Sequence, residues 1–146
     1  MHKPELYWIR NKYYTEKEVL VDKIGENKFR ILEFGKFYPI LSQGCLIDNC
    51  IAEVLQKYVP EQIELLKKVT IWRKATNEIW SNYSEIQIKN HLDLKEFESA
   101  KFDGFRIYHL MHNDIYVSSE LKEKLLAEYG SASEIEFVNE WPKYAK

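Results

Sequence analysis

The chain has 146 residues but only five glycines, four prolines and two cysteines, and each shortage excludes something. No Ser/Gly/Pro-rich tract marks a flexible linker, so the length reads as one compact unit rather than a barrel or a multidomain enzyme. Two cysteines do not make the disulfide framework of a small secreted domain. Cys45 and Cys50 fall in a stretch that reads as helix, where their spacing points the side chains apart and prevents a bridge. They are expected to be reduced, in or near the core. Long apolar runs are missing too. Leu6-Tyr7-Trp8-Ile9, closed by Arg10, is too short for a secretory h-region, and nothing approaches a membrane span. The expectation is a cytoplasmic protein with no membrane contact. There is no Gly-x-Gly-x-x-Gly or Walker-type loop, so no nucleotide cofactor is expected.

What is present is ample apolar and aromatic material: 45% hydrophobic, 14% aromatic and 30% charged residues. That composition buries a core and is not that of a disordered chain. A net charge of −2 gives no bulk attraction to nucleic acid. Its distribution is uneven. Asp114, Glu120, Glu123, Glu128, Glu134, Glu136 and Glu140 are opposed between 114 and 140 only by Lys122 and Lys124. Two readings stand for this acidic region: a solvated helix face with a solvated strand edge, or a docking surface for a basic partner.

Periodicity places the elements. Strands are expected at Glu5 to Arg10, Val19 to Ile24, Lys28 to Phe34, Gln62 to Leu66, Val69 to Trp72, Glu85 to Lys89, Phe105 to Leu110, Ile115 to Val117 and Glu134 to Val138. Thr15-x-x-Glu18 fits a capping box, but Val19-Leu20-Val21 and Gly25 favour a strand there. Ile47, Ile51, Val54, Leu55 and Tyr58 recur at helical spacing, which predicts an amphipathic helix from Gln43 to Val59, stopped by Pro60. Ser118 or Ser119 caps a second helix with Leu121, Leu125, Leu126 and Tyr129 on its buried side and Gly130 as the left-handed stop. Asp93 to Gly104 reads as irregular, and His112-Asn113-Asp114 as a turn. The fold class is α+β: a single compact domain, mainly antiparallel sheet, with two principal amphipathic helices. Ile40-Leu41-Ser42, helix, strand has the same order as Tyr116-Val117-Ser118, helix, strand. A degenerate strand-helix-strand duplication, with Ser42 and Ser118 as matching caps, accounts for this order, and so does chance in any α/β chain.

No catalytic pattern stands out. His109, His112 and Asp114 form His-x-x-His-x-Asp, but on a strand the two histidines point to opposite faces, so no metal is expected. Gly44-Cys45 at a helix N-terminus is a faint thiol nucleophile, with a core role as its plainer explanation. Asp93, Glu96 and Glu98 offer carboxylates in a composition ordinary for a solvated loop. Among the aromatics, Trp72-Arg73-Lys74 is the one local match to a stacking platform for single-stranded nucleic acid.

Phe105-Arg106-Ile107, Ile115-Tyr116-Val117-Ser118-Ser119-Glu120-Leu121, Gly130 and Ile135-Glu136-Phe137 resemble the C-terminal region of bacterial polymorphic-toxin immunity proteins. Leu41-Ser42, Glu61-Gln62-Ile63-Glu64-Leu65 and Tyr83-Ser84-Glu85-Ile86 resemble the preceding part of that domain. The resemblance covers roughly residues 39–140 and leaves 1–38 unmatched. It implies a non-enzymatic, cytoplasmic inhibitor, monomer or homodimer, whose partner is a cognate toxin protein and which needs no cofactor. The acidic region and a nearby tryptophan then become the partner-binding candidates: Glu120, Glu123, Glu134, Glu136 and Trp141. Two other classes stay open: a small hydrolase or transferase whose site assembles only in three dimensions, and a nucleic-acid-binding module.

Overall fold

The β-formers build two mixed sheets. A computed structural model describes residues 6–12, 15–93, 103–110, 114–129 and 134–139, Gln43 without its side chain. The strands are β1 (Leu6–Asn11), β2 (Leu20–Gly25), β3 (Lys28–Glu33), β4 (Ile40–Leu41), β5 (Leu46–Asp48), β6 (Ile63–Arg73), β7 (Glu78–Ile88), β8 (His91–Leu92), β9 (Ile107–Leu110), β10 (Asp114–Ser118) and β11 (Ile135–Val138). Among the described residues two helices, α1 (Asn49–Tyr58) and α2 (Ser119–Glu128), accompany the sheets in an α+β fold. One sheet has the order β11-β1-β10-β9-β8, the other β2-β3-β6-β7-β5-β4. Pairing is antiparallel except at β3–β6 and β8–β9.

Three expectations are corrected. The strands expected at Gln62 to Leu66 and Val69 to Trp72 are one strand, β6, because Lys67 and Lys68 pair with Glu85 and Ser84 of β7 and are carried through the ladder. β7 likewise begins at Glu78, not Glu85. The hairpin between them turns at Asn77, which takes a left-handed φ of 58° and accepts a 2.9 Å hydrogen bond from the Trp72 indole, a conformation asparagine tolerates. The first helix starts at Asn49 rather than Gln43. Residues 46–48 pair with β7 instead, and the Asp48 carboxylate caps α1 by accepting the Cys50 amide at 2.7 Å. Ile47 matched the helical stripe only because a strand residue four positions before Ile51 enters the same core. Consequently Cys45 does not sit at a helix N-terminus, and Cys50 is exposed rather than in the core.

The strand-helix-strand repetition exists in the fold, with a different joint. β5 and β6 both pair antiparallel with β7, which lies between them, and β10 and β11 do the same with β1. Each helix has ten residues and is capped by the last residue of the strand before it. The counterpart of Ser118 is therefore Asp48. Ser42 instead opens a short 3-10 turn with φ at 52°.

Both helices feed one core. Ile51, Val54 and Leu55 of α1 and Leu121 and Leu125 of α2 pack with Ile47, Ile63, Ile86 and Ile88 from the six-stranded sheet and Ile9, Ile107, Ile115, Val117 and Ile135 from the five-stranded one. Gln62 ties this seam. Its amide nitrogen donates to the Phe105 carbonyl at 2.7 Å, and its amide oxygen accepts from the Ile107 amide at 3.0 Å and from the Asn90 side chain at 3.2 Å. These bonds explain why β9 starts at Ile107, two residues later than expected: the Phe105 carbonyl is used by Gln62 and the Arg106 amide by the Ser118 hydroxyl, at 3.0 Å. The far face of the six-stranded sheet encloses a second core with Phe29, Tyr38, Leu41, Leu46, Val69, Ile71 and Tyr83. That sheet curls strongly. Lys23 of β2 reaches Glu85 of β7 at 3.0 Å across β3 and β6, whereas a flat sheet would hold those strands about 14 Å apart.

Candidate functional site

The acidic residues that adjoin in sequence are separated in space. Glu120 and Glu123 are exposed on α2, the latter 3.8 Å from Lys122. They lie beyond Ser118, which pairs with Leu6 at one end of β1. Glu134 and Glu136 stand at the other end, where Ile135 pairs with Asn11. A strand of this length keeps the two pairs about 16 Å or more apart. Glu136 is opposite Arg10 in the ladder and forms an ion pair with it; Glu134 is exposed, and its carbonyl accepts the Lys12 amide at 2.9 Å. Glu128 bridges the helices by accepting from Lys57 at 2.8 Å and from the Tyr58 hydroxyl. Those hydrogen bonds hold its carboxyl below the usual range. Trp141 and Glu140, the Gly130 stop, Glu96, Glu98, His112 and most of the stretch expected to be irregular lie outside the described residues.

Glu136 also borders a cleft of about 950 Å³ where the two sheets meet. Arg10, Lys12, Glu18 and Asp114 line it over a floor that includes Ile9, Val19 and Ile40, all buried. Ser42 stands at its lip and donates its backbone N–H to Glu18 at 3.0 Å. Charges of both signs over an apolar floor suit a peptide-like group better than a polyanion.

The six-stranded sheet also exposes apolar side chains, on both of its faces. Leu20, Ile24, Leu32, Phe34 and Ile79 are all exposed, Phe34 by 48% and Ile79 by 62%, and they lie on or beside β2, β3 and β7 in the curled sheet. Phe34 is the outer member of an aromatic group: its ring centre is 6.1 Å from those of Phe37 and Trp80, which stack on each other at 4.7 Å. The Arg73 guanidinium lies 4.0 Å above the Phe34 ring. One signal was available. Phe29, Ile31, Leu32 and Phe34 put apolar side chains on both faces of a single expected strand, more than one core can cover. Trp72-Arg73-Lys74 does not form a joint platform, since Trp72 and Arg73 alternate across β6. Trp72 is under Lys28 at 4.9 Å while Arg73 serves Phe34.

The cysteine near a helix N-terminus is Cys50, in the first turn of α1, and not Cys45. Burial raises the Cys50 thiol pKa and the adjacent Asp48 carboxylate raises it further, against the lowering a helix N-terminus alone would give. His109 is buried, 3% exposed, and its neighbour is His91. The two pair across the parallel β8–β9 ladder with ring centres 5.3 Å apart and planes at 61°. Among the described residues, neither ring nitrogen of His109 has a hydrogen-bond partner. Burial, then the charge of His91, lowers its pKa to about 4. Among the described residues, no three or more His, Cys, Asp or Glu side chains form a group able to hold a metal ion, and no helix is long and apolar enough to cross a membrane. No family model matches this chain, and no curated protein or solved structure matches it either.

Proposed function

We propose that the protein is an immunity protein, binding a cognate bacterial toxin in the cytoplasm of the cell that makes it and neutralising it by contact. The observation that carries the reading is the Phe34 ring, 48% exposed, with the Arg73 guanidinium 4.0 Å above it and the rings of Phe37 and Trp80 beside it. An exposed aromatic ring flanked by an arginine and further aromatic rings has the composition of protein-binding patches. The resemblance of residues 39–140 to immunity domains supplies the class of partner. In this reading the apolar surface supplies affinity, and Glu120, Glu123, Glu134, Glu136 and Trp141 act on encounter and at the rim. The test uses the toxin-like C-terminal domain encoded beside this gene, purified in an inactive form. Binding should be tight, and Phe34→Glu or Arg73→Glu should raise the dissociation rate by tenfold or more. No binding to that domain would remove the immunity reading; binding that ignores both substitutions but fails with Glu134→Lys or Glu136→Lys would move the interface to the cleft edge.

A further inference from the structure

Buried polar atoms in folded proteins nearly always have partners, and an orphan calls for an explanation such as a bound water or ion. His109 carries two: both ring nitrogens are buried and, among the described residues, without hydrogen bonds. Its backbone is ordinary, pairing with Ile115 of β10 on one side and His91 of β8 on the other, with its amide donated to the Asn90 carbonyl at 2.8 Å. The anomaly is confined to the imidazole, and the side chain nearest to it by ring contact is a second imidazole. His91 is exposed, so the pair has one member in the core and one at the surface.

We propose that His91 and His109 bind one divalent transition-metal ion, zinc in preference, through one nitrogen each, with water completing the shell. The separation fits. With Zn–N bonds of about 2.0–2.1 Å and a nitrogen about 1.1 Å from its ring centre, two imidazoles on a tetrahedral ion hold their centres about 5.2 Å apart. The rings here stand at 5.3 Å. Imidazole is a ligand suited to zinc, copper and nickel, and zinc has no competing geometric demand. Among the described residues no third His, Cys, Asp or Glu joins the pair, so the site is weaker than a four-ligand structural zinc centre. Spacing along the chain argued against His109 with His112; the parallel ladder supplies His91 instead, eighteen residues earlier. This site does not depend on the immunity reading.

The test takes the full chain, stripped of metal with a chelator and then titrated with Zn²⁺ by calorimetry and with Co²⁺ by visible absorption. The expected result is one equivalent of Zn²⁺, a tetrahedral Co²⁺ spectrum and a melting temperature that rises with Zn²⁺. His91→Ala, a surface substitution, should weaken binding at least tenfold and abolish the Zn²⁺-dependent rise, while His2→Ala and His112→Ala should not. His109→Gln should act like His91→Ala; if it does not fold, loss or shift of the His91 and His109 imidazole NMR signals on adding Zn²⁺ to the unaltered chain gives the same answer. No binding, binding unchanged in His91→Ala, or binding lost with His112 rather than His91 would overturn the proposal.

Discussion

The two strand-helix-strand units bury the same kind of stripe through unlike joints, and the unlike joint decides what could be seen in advance. In β10–α2–β11 the capping residue Ser118 is fully buried. Its hydroxyl donates to the Gly104 carbonyl at 2.7 Å and accepts from the amides of Arg106 at 3.0 Å and Leu121 at 3.4 Å. In β5–α1–β6 the cap is Asp48, whose carboxylate serves the Cys50 amide near solvent. One joint is a node that also fixes the chain before β9; the other only starts a helix. The helices themselves are equivalent, each placing its apolar side chains in the shared core.

The sharpest way to break the equivalence is to cut into that core from each side. Ile51→Ala and Leu125→Ala, at 2% and 0% exposure, should each cost about 2–5 kcal/mol. Because both side chains belong to one cluster, the double variant should depart from the sum of the singles by about 0.5 kcal/mol or more. Urea denaturation measures this, and strict additivity would mean the units have separate cores.

Next in size is the seam. Gln62→Ala removes one amide and leaves the Ile107 N–H and the Phe105 carbonyl without their partner, which should cost about 2–3 kcal/mol. Hydrogen exchange should then quicken in β9 and at the end of β7 before it quickens in β2 and β3. A uniform change across both sheets would show that Gln62 is not the tie between them.

Third come the caps. Ser118→Ala should cost about 2 kcal/mol, since the loss of a cap is joined by an orphaned buried amide and carbonyl. Asp48→Ala should cost about 1 kcal/mol or less. Equal losses would sink the distinction between node and simple cap.

This asymmetry also says how much was legible. α2 and its flanking strands were readable because the apolar strand, the serine and the stripe follow one another without interruption, so local signals agreed. α1 was misplaced at its start because Ile47 satisfied the helical period from a strand, and only the pairing with β7 excludes the helix there. β6 was split in the sequence at Lys67 and Lys68 for the same reason: their polarity is tolerated by cross-strand partners that local pattern does not contain. The acidic residues were correctly seen as a charge excess. Their separation along β1 was invisible, because sequence adjacency carries no information on which end of a strand a chain returns to. The His91 and His109 pair and the apolar surface around Phe34 both depend on which strands become neighbours. Composition showed the ingredients, and topology alone made them adjacent.

The smallest effect tests the Asp48 joint without disturbing the fold. Cys50 lies at the positive end of α1, where an unopposed helix terminus would favour its thiolate. Burial raises its pKa instead, and the Asp48 carboxylate raises it further through its charge and a side-chain hydrogen bond. Asp48→Asn keeps an oxygen able to accept the Cys50 amide, so the cap and the stability should change by no more than a few tenths of a kcal/mol. The charge, however, is gone, and the thiol should ionise at lower pH. Lower basicity makes a thiolate a somewhat weaker nucleophile, but near neutral pH the gain in thiolate fraction is the larger effect. In a Cys45→Ser background, the reaction of Cys50 with a disulfide reagent should therefore speed up a few-fold, with its pH profile displaced toward acid. An unchanged profile would mean that burial and the Glu53 charge set the thiol without Asp48; a faster reaction accompanied by a large loss of stability would mean that α1 has frayed and that Asp48 is more than a simple cap.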